Sequence, residues 1–327
     1  MTFEGVPWAI GGGAEVPVEA GRLVAYAATG GTDGVAVSGD LKVLPLAVAG
    51  PSVRVMKGAA LMPSRAAGNE QQSYAARNLD EEVVGITATG SDSGRSDMVI
   101  VRVEDSTVAG EPWSPPVDVV NGPYVHARVL EGVPSSAIAS NRAARDYLKT
   151  QGFTAIPLAG VTLPASTGTV TSDMITDLRN LARPRTQLET KLPDVPYPVT
   201  LSTVQEDTTW PGGGPTIDVP EWATHASVVV LIAGVRIANG YPANGWTHVA
   251  VTGYSTVRTV GTQFTLDATP AVLMSAGELP DVPLIAGKRV TFELRGYRDD
   301  TNGAVGALQT AQFTSIVYNV TFHERVV

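Results

Sequence analysis

The stretch GRSDMVIVRVED, residues 94–105, decides the fold class. Met98, Ile100 and Arg102 alternate with Val99, Val101 and Val103, a period of two that sends successive side chains to opposite faces of a strand. One of those faces is expected to be buried. Similar runs occupy the rest of the first half, at 21–28, 41–48, 52–58, 81–90, 124–132 and 153–163. The chain of 327 residues holds 34 glycines and 23 prolines, so the runs between turn signals are short, as strands are.

Two helices are expected among these strands. Residues 135–152, SSAIASNRAARDYLKTQG, open on serines suited to capping free N–H groups and close on a glycine suited to the left-handed C-terminal position. The second begins at Ser172 or Asp173, places Met174, Ile175, Leu178 and Leu181 at helical spacing, and stops before Pro184.

The text then changes. Residues 183–199, RPRTQLETKLPDVPYPV, carry four prolines and no periodicity, which marks a domain boundary. Beyond it, KRVTFELRGY (288–297) places Val290, Phe292 and Leu294 on one face, and SIVYNVTFHE (315–324) does the same with Ile316, Tyr318, Val320 and Phe322. With the runs around 227–238, 246–254, 256–267 and 271–276, this half reads as a β-sandwich of jelly-roll type. The expected fold is therefore mainly β. A β-rich N-terminal domain with two short helices spans 1–183, a proline-rich linker spans 184–199, and a jelly-roll-like sandwich spans 200–327.

Composition removes several function classes. The formal net charge is −9 and no basic run is present, which argues against neutralising a nucleic-acid backbone. The longest apolar stretch, SVVVLIAGV at 227–235, falls far short of the roughly 20 residues that cross a bilayer. An acidic residue stands near the start, in MTFEGVPWAIGGG, where a secretory signal needs basic ones. There is no cysteine, so disulfides and thiolate chemistry are absent. Charged residues are 17% of the chain, against roughly 25% in an average soluble domain, and contact between subunits is the simplest cover for so little charge.

No catalytic, cofactor-binding or metal-binding residue emerges. His126, His225, His248 and His323 lack a partner at metal-binding spacing and read as ordinary strand or loop histidines. GSDSGRSD (90–97) lacks the strand-to-helix setting of a hydrolase nucleophile. The glycines at 11–13 and 212–214 lack the spacing of a phosphate cradle. RDDTNG (298–303) has neither the alternation nor the closing glutamate of a calcium loop and reads as a turn.

The strand at 95–105, followed by the apolar strand at 153–163 and then Ile-Thr-Asp-Leu-Arg at 175–179, resembles the anchor domain of minor tail proteins of long-tailed bacteriophages infecting actinobacteria. The residues carrying the likeness are Arg95, Asp97, Val99, Val101, Arg102 and Asp105, then Ile175, Asp177, Leu178 and Arg179. GTDGVAVSGDLKVLPLA (31–47) and SVRVMKGAALM (52–62), with Gly58 and Ala59 in the turn, are similar to that family's opening strands, so residues 21–183 are covered. The resemblance implies a virion protein of the phage tail, a homotrimer attached to other tail-tip or baseplate proteins, with a downstream domain facing the host. Arg95, Asp97, Asp177 and Arg179 are then structural. The helical segment 135–152 departs from the family's short connection, and no fibre shaft follows 185, which implies a compact tail-tip or baseplate protein.

Host recognition is expected in the sandwich, on loops at one end. Trp210, Trp222, Tyr241, Trp246, Tyr254, Tyr297, Arg298, Asp299 and Asp300 combine aromatic faces that stack on sugar rings with charged groups that bond to hydroxyls, a set suited to a host cell-surface glycan. Trp222 and Trp246 lie beside expected strands, where tryptophan more often belongs to the core. The alternatives to a non-enzymatic tail-tip protein are a tail-associated glycan hydrolase with carboxylates hidden in the sandwich loops, and a capsid decoration protein.

Overall fold

The computed structural model describes residues 17–65, 71–105, 118, 120–201, 206–240, 242–299 and 306–327. The chain divides into two compact units, Met1–Arg183 with Val326–Val327, and Pro184–Arg325. Among the described residues it is mainly β with two α-helices, and the sheets are antiparallel.

The first unit is built around the strand Arg95–Val103, which lies between Ala155–Leu163 and Val125–Leu130 in a sheet of four strands completed by Ile175–Asp177. The expected alternation is present, but both faces are buried rather than one. Val99, Val101 and Val103 enter one core, while Met98 and Ile100 enter another. The first core is shared with two three-stranded sheets, one made by Gly34–Val35, Gly58–Pro63 and Ser73–Asn78, the other by Val43–Pro45, Ser52–Val55 and Glu82–Gly85. The second core is closed by the helix Asn141–Thr150, whose Ala144 and Leu148 sit one turn apart and are buried as the helical period requires.

That helix is the trimmed form of the expected 135–152 segment. A 3-10 turn, Ser135–Ile138, precedes it, and the cap is Ser140, whose hydroxyl accepts from the Ala143 N–H. The other helix lies elsewhere. Residues expected as a strand at 21–28 belong to the helix Val18–Thr29. Four alanines favour the helix, and it ends in the consecutive left-handed glycines Gly30 and Gly31, whose N–H groups return to Ala27 O and Tyr26 O in the usual glycine stop. The expected helix at 172–183 is instead one 3-10 turn, Ser172–Met174, followed by the strand Ile175–Asp177 paired to Gly160 and its neighbours. Its β-branched Ile175 and Thr176 favour a strand, and the sheet edge offers ladder hydrogen bonds there.

The sequence motif in this unit forms two ion pairs, each between residues two apart. Arg95 Nε and Nη2 donate to the two oxygens of Asp97, both at 2.8 Å, and Asp97 also accepts from the Gly132 N–H. The Asp97 side chain is fully buried. Arg179, also fully buried, donates to Asp177 and to the carbonyls of Ser38, Asp40 and Val327. Arg102 stacks over the Phe153 ring, and Asp105 pairs with Arg22 and accepts from the Tyr74 hydroxyl. A buried guanidinium is tolerable when its forked donors are filled in this way.

The second unit is a β-sandwich. One sheet has the order Thr186–Lys191, Ser315–His323, His225–Ala238, Ala271–Leu279, with Ala307–Gln309 on the end of His225–Ala238. The other has the order Thr208–Thr209, Arg289–Asp299, Ala243–Val251, Tyr254–Arg258, joined by Thr216–Asp218 and Thr262–Leu266. The chain crosses between sheets after Thr186–Lys191, Thr216–Asp218, His225–Ala238, Thr262–Leu266, Ala271–Leu279 and Arg289–Asp299, while Ala243–Val251, Tyr254–Arg258 and Thr262–Leu266 follow one another in one sheet. Residues 184–199, read from the sequence as a linker, contain the strand Thr186–Lys191 at the edge of the first sheet.

The period-two faces of the second half meet in this core. Phe292 and Phe322 come from opposite sheets and pack edge to face at 6.5 Å. Tyr318 reaches across to accept the Leu294 N–H, and burial pushes its phenol up to about 12, so the hydroxyl stays protonated.

Candidate functional site

The outward face of the second sheet carries the site. Along Ala243–Val251, the odd-numbered residues Thr247, Val249 and Val251 are turned to the core, which leaves Trp246 and His248 outward. On the neighbouring strand, Val290, Phe292 and Leu294 fill the core and Glu293, Arg295 and Tyr297 turn out. The register sets Trp246 opposite Tyr297 and His248 opposite Arg295. Gly245 permits this approach, because a Cβ there would stand 2.0 Å from the Tyr297 carbonyl oxygen.

The result is a stacked aromatic pair at the surface. The Trp246 and Tyr297 rings lie 4.0 Å apart at 7°, and Trp246 is 36% exposed. Beside it runs a charged row. Asp207 accepts from Arg295 Nε at 3.0 Å, and the Arg295 guanidinium also lies 3.6 Å from Glu293, which accepts from the Thr209 hydroxyl.

His248 Nε2 stands 3.6 Å from Asp207 Oδ2, too far for a hydrogen bond. Neither His248 Nε2 nor Asp207 Oδ1, both buried, has a hydrogen-bond partner among the described residues. Burial holds the His248 imidazole below its ordinary pKa; Asp207 opposes this, while Arg258 and Arg295 add to it. His248 is thus a neutral ring among charges. Unsatisfied buried polar atoms are uncommon in native folds, and here two occur together.

Two adjoining hollows open on this row, with volumes of about 420 and 450 Å³, and share Asp207, His248 and Arg258. Tyr254 and Glu293 line the first; Trp246, Gly261 and Pro280 line the second. An aromatic platform beside fixed polar groups suits a flat, hydroxyl-rich ligand. Among the described residues no group of three His, Asp or Glu side chains stands together to hold a metal ion, and no helix is long and apolar enough to cross a membrane.

The residues expected to recognise a glycan separate into distinct settings. Trp246 and Tyr297 come to the same face, whereas Tyr254 stands opposite the core residue Val251, packs against the core and holds Lys288 over its ring. Trp210 is a correction: it is 1% exposed in the core, its indole N–H donating to Val199 O, so neither face of its ring can meet a sugar. Trp222 packs against the same core, with the Arg185 guanidinium over its ring. Arg298 alternates to the other face of its strand from Tyr297, and Asp299 shares the Tyr297 face at the strand end. Tyr241 and Asp300 lie outside the described residues. The stack sits on strands, not on the loops at one end of the sandwich. His248, Asp207, Arg258, Arg295 and Glu293 were not anticipated, although the alternation of Glu293, Arg295 and Tyr297 was visible in the sequence.

No family model matches the sequence, and no curated protein matches it. Among solved structures, the chain is similar to the VP2 subviral particle of infectious bursal disease virus, with a TM-score of 0.26 and 12% identity, covering 90% of this chain and 74% of that one. The T13 particle of the same virus gives a TM-score of 0.23 and 14% identity, covering 91% and 70%. The mosquito-larvicidal Cry4Aa toxin of Bacillus thuringiensis gives 0.15 and 9%, covering 90% and 54%. Likenesses at this level carry no weight for fold or role.

Proposed function

We propose that this chain is a non-enzymatic structural protein of a phage tail tip or baseplate that contributes to recognition of a host cell-surface glycan. The exposed Trp246–Tyr297 stack, set beside the hollows that hold Asp207, His248 and Arg258, carries the recognition half of this reading. The attachment half rests on the motif residues of the first unit, which the fold uses as buried structural ion pairs. Immunogold labelling of particles that carry the chain is the test. Label at the tail tip is expected; label over the capsid would replace this reading with a decoration role.

We further propose that the chain works as a homotrimer. The outward face of the first sandwich sheet supports this. Leu231 stands opposite Met274 and Val317, and Ala233 stands opposite Val272. Met274 and Val272 are more than half exposed, as is Phe313 on the turn that follows Ala307–Gln309. Apolar side chains in cross-strand register form a contiguous patch of the kind that closed symmetric assemblies bury. Light scattering at micromolar concentration should give three times the 34.1 kDa chain mass; a monomer mass would end the trimer proposal.

A further inference from the structure

We infer that the hollow beside Trp246 takes an acidic sugar, with Arg258 as the counter-ion of its carboxylate; the inference rests on the glycan-recognition reading above and names the class of glycan. The argument starts from the ionisable groups of the site. Arg295 is held by Asp207 and lies near Glu293. Asp207 Oδ2 and Glu293 are therefore engaged by Arg295, and Glu293 also takes the Thr209 hydroxyl, while Asp207 Oδ1 is buried. Arg258 differs. Its strand, Tyr254–Arg258, is paired to Ala250 at this point, the side chain is exposed and lines both hollows, and it forms no ion pair among the described residues. The site thus has one charged group with its donors open, and that group is a planar fork suited to a carboxylate.

The neighbouring indole supplies the second half. Tyr297 covers one face of Trp246. Gly261 approaches the ring from elsewhere in the second hollow, and a Cβ there would stand 3.2 Å from the indole Cδ1. The backbone at 261 thus packs close against that part of the ring, and Trp246, 36% exposed, lines the second hollow beside it. Thr256 and Pro280 border the same hollow, while the buried Thr259 hydroxyl accepts the Val249 N–H, so a pyranose lying against the indole meets the Thr256 hydroxyl at its edge and the guanidinium beyond it. The chain as a whole carries a net charge of −9, so long-range attraction does not bring an anion here. Selection for acidic sugars therefore has to be made by contact, at Arg258.

The test uses the full chain, labelled with nitrogen-15, and follows the indole N–H of Trp246 during titration with methyl β-D-glucuronide, methyl β-D-glucoside and glucose 6-phosphate. The first two differ only in carrying a carboxylate or a hydroxymethyl group at C5. The glucuronide is expected to bind about tenfold more tightly than the glucoside, the size of effect a charge-assisted pair supplies. Arg258→Gln should remove that preference, and Gly261→Leu should weaken binding of both by crowding the indole. Equal affinities in the native chain, or a preference that survives Arg258→Gln, would overturn the acidic-sugar inference and leave glycan recognition standing. A preference for the phosphate ester over the glucuronide would overturn the carboxylate assignment. No shift with any of the three would overturn the inference and the glycan reading together.

Discussion

Arg179→Met is expected to destabilise the first unit by about 3–5 kcal/mol, as breaking a buried ionic network does. The guanidinium is wholly buried and joins three separate stretches of chain: Asp177, the carbonyls of Ser38 and Asp40, and the carbonyl of Val327. Methionine keeps the apolar stem and removes every donor. The Asp177 side chain is 38% exposed and regains water, so the cost falls on the three carbonyls, which lose their partner. Asp177→Asn leaves those bonds in place but takes the carboxylate from a buried guanidinium, and should cost about 1–3 kcal/mol. Arg179→Lys should recover less than half of the loss, because one ammonium cannot reproduce a planar fork that bonds in three directions. Denaturant unfolding of the full chain followed by circular dichroism measures all three. If Arg179→Met costs no more than Asp177→Asn, the motif is a solvated chain end and its structural role is lost.

The contrast between these two residues also shows which features of the molecule sequence can disclose. The pair Asp177–Arg179 stood out as a motif, yet the segment holding it was read as a helix, since Met174, Ile175, Leu178 and Leu181 fit a helical period. Local spacing cannot see that the strand Ala155–Leu163 has an open edge beside it, and the ladder with that edge decided the outcome. A similar limit applied to GRLVAYAA, where short apolar alternation concealed an alanine-rich helix whose stop signal, Gly30–Gly31, lay just beyond. The sandwich core was far more legible. Phe292, Leu294, Ile316, Tyr318, Val320 and Phe322 sit inside because period two is unambiguous when large apolar residues alternate with polar ones over eight or more positions. That same alternation fixed the opposite row, Glu293, Arg295 and Tyr297, as an outward set. What it could not give was the partner strand. Trp246 meets Tyr297, and Asp207 meets Arg295, only through registers between segments about 50 and 88 residues apart.

Trp246→Ala is expected to abolish most binding to host cells while leaving the fold nearly intact. The indole is 36% exposed and its main packing partner is Tyr297, so its loss should cost about 1 kcal/mol of stability, the worth of one aromatic pair. Binding depends on it far more. Loss of a stacking platform weakens a single site by about tenfold, and if three copies bind one surface together, the deficits compound through effective concentration to about a hundredfold or more. Trp210→Ala is the matching control. That ring is sealed in the core, so its removal should cost about 3–5 kcal/mol and should spare adsorption wherever the variant remains folded. Trp246→Tyr keeps a flat ring over Tyr297 and should restore part of the binding. Unfolding midpoints and adsorption to host cells, measured on the same preparations, separate these effects. If Trp246→Ala chains still bind cells as the native chain does, recognition lies away from this sheet face, and the stack with Tyr297 serves only to brace the two strands that carry it.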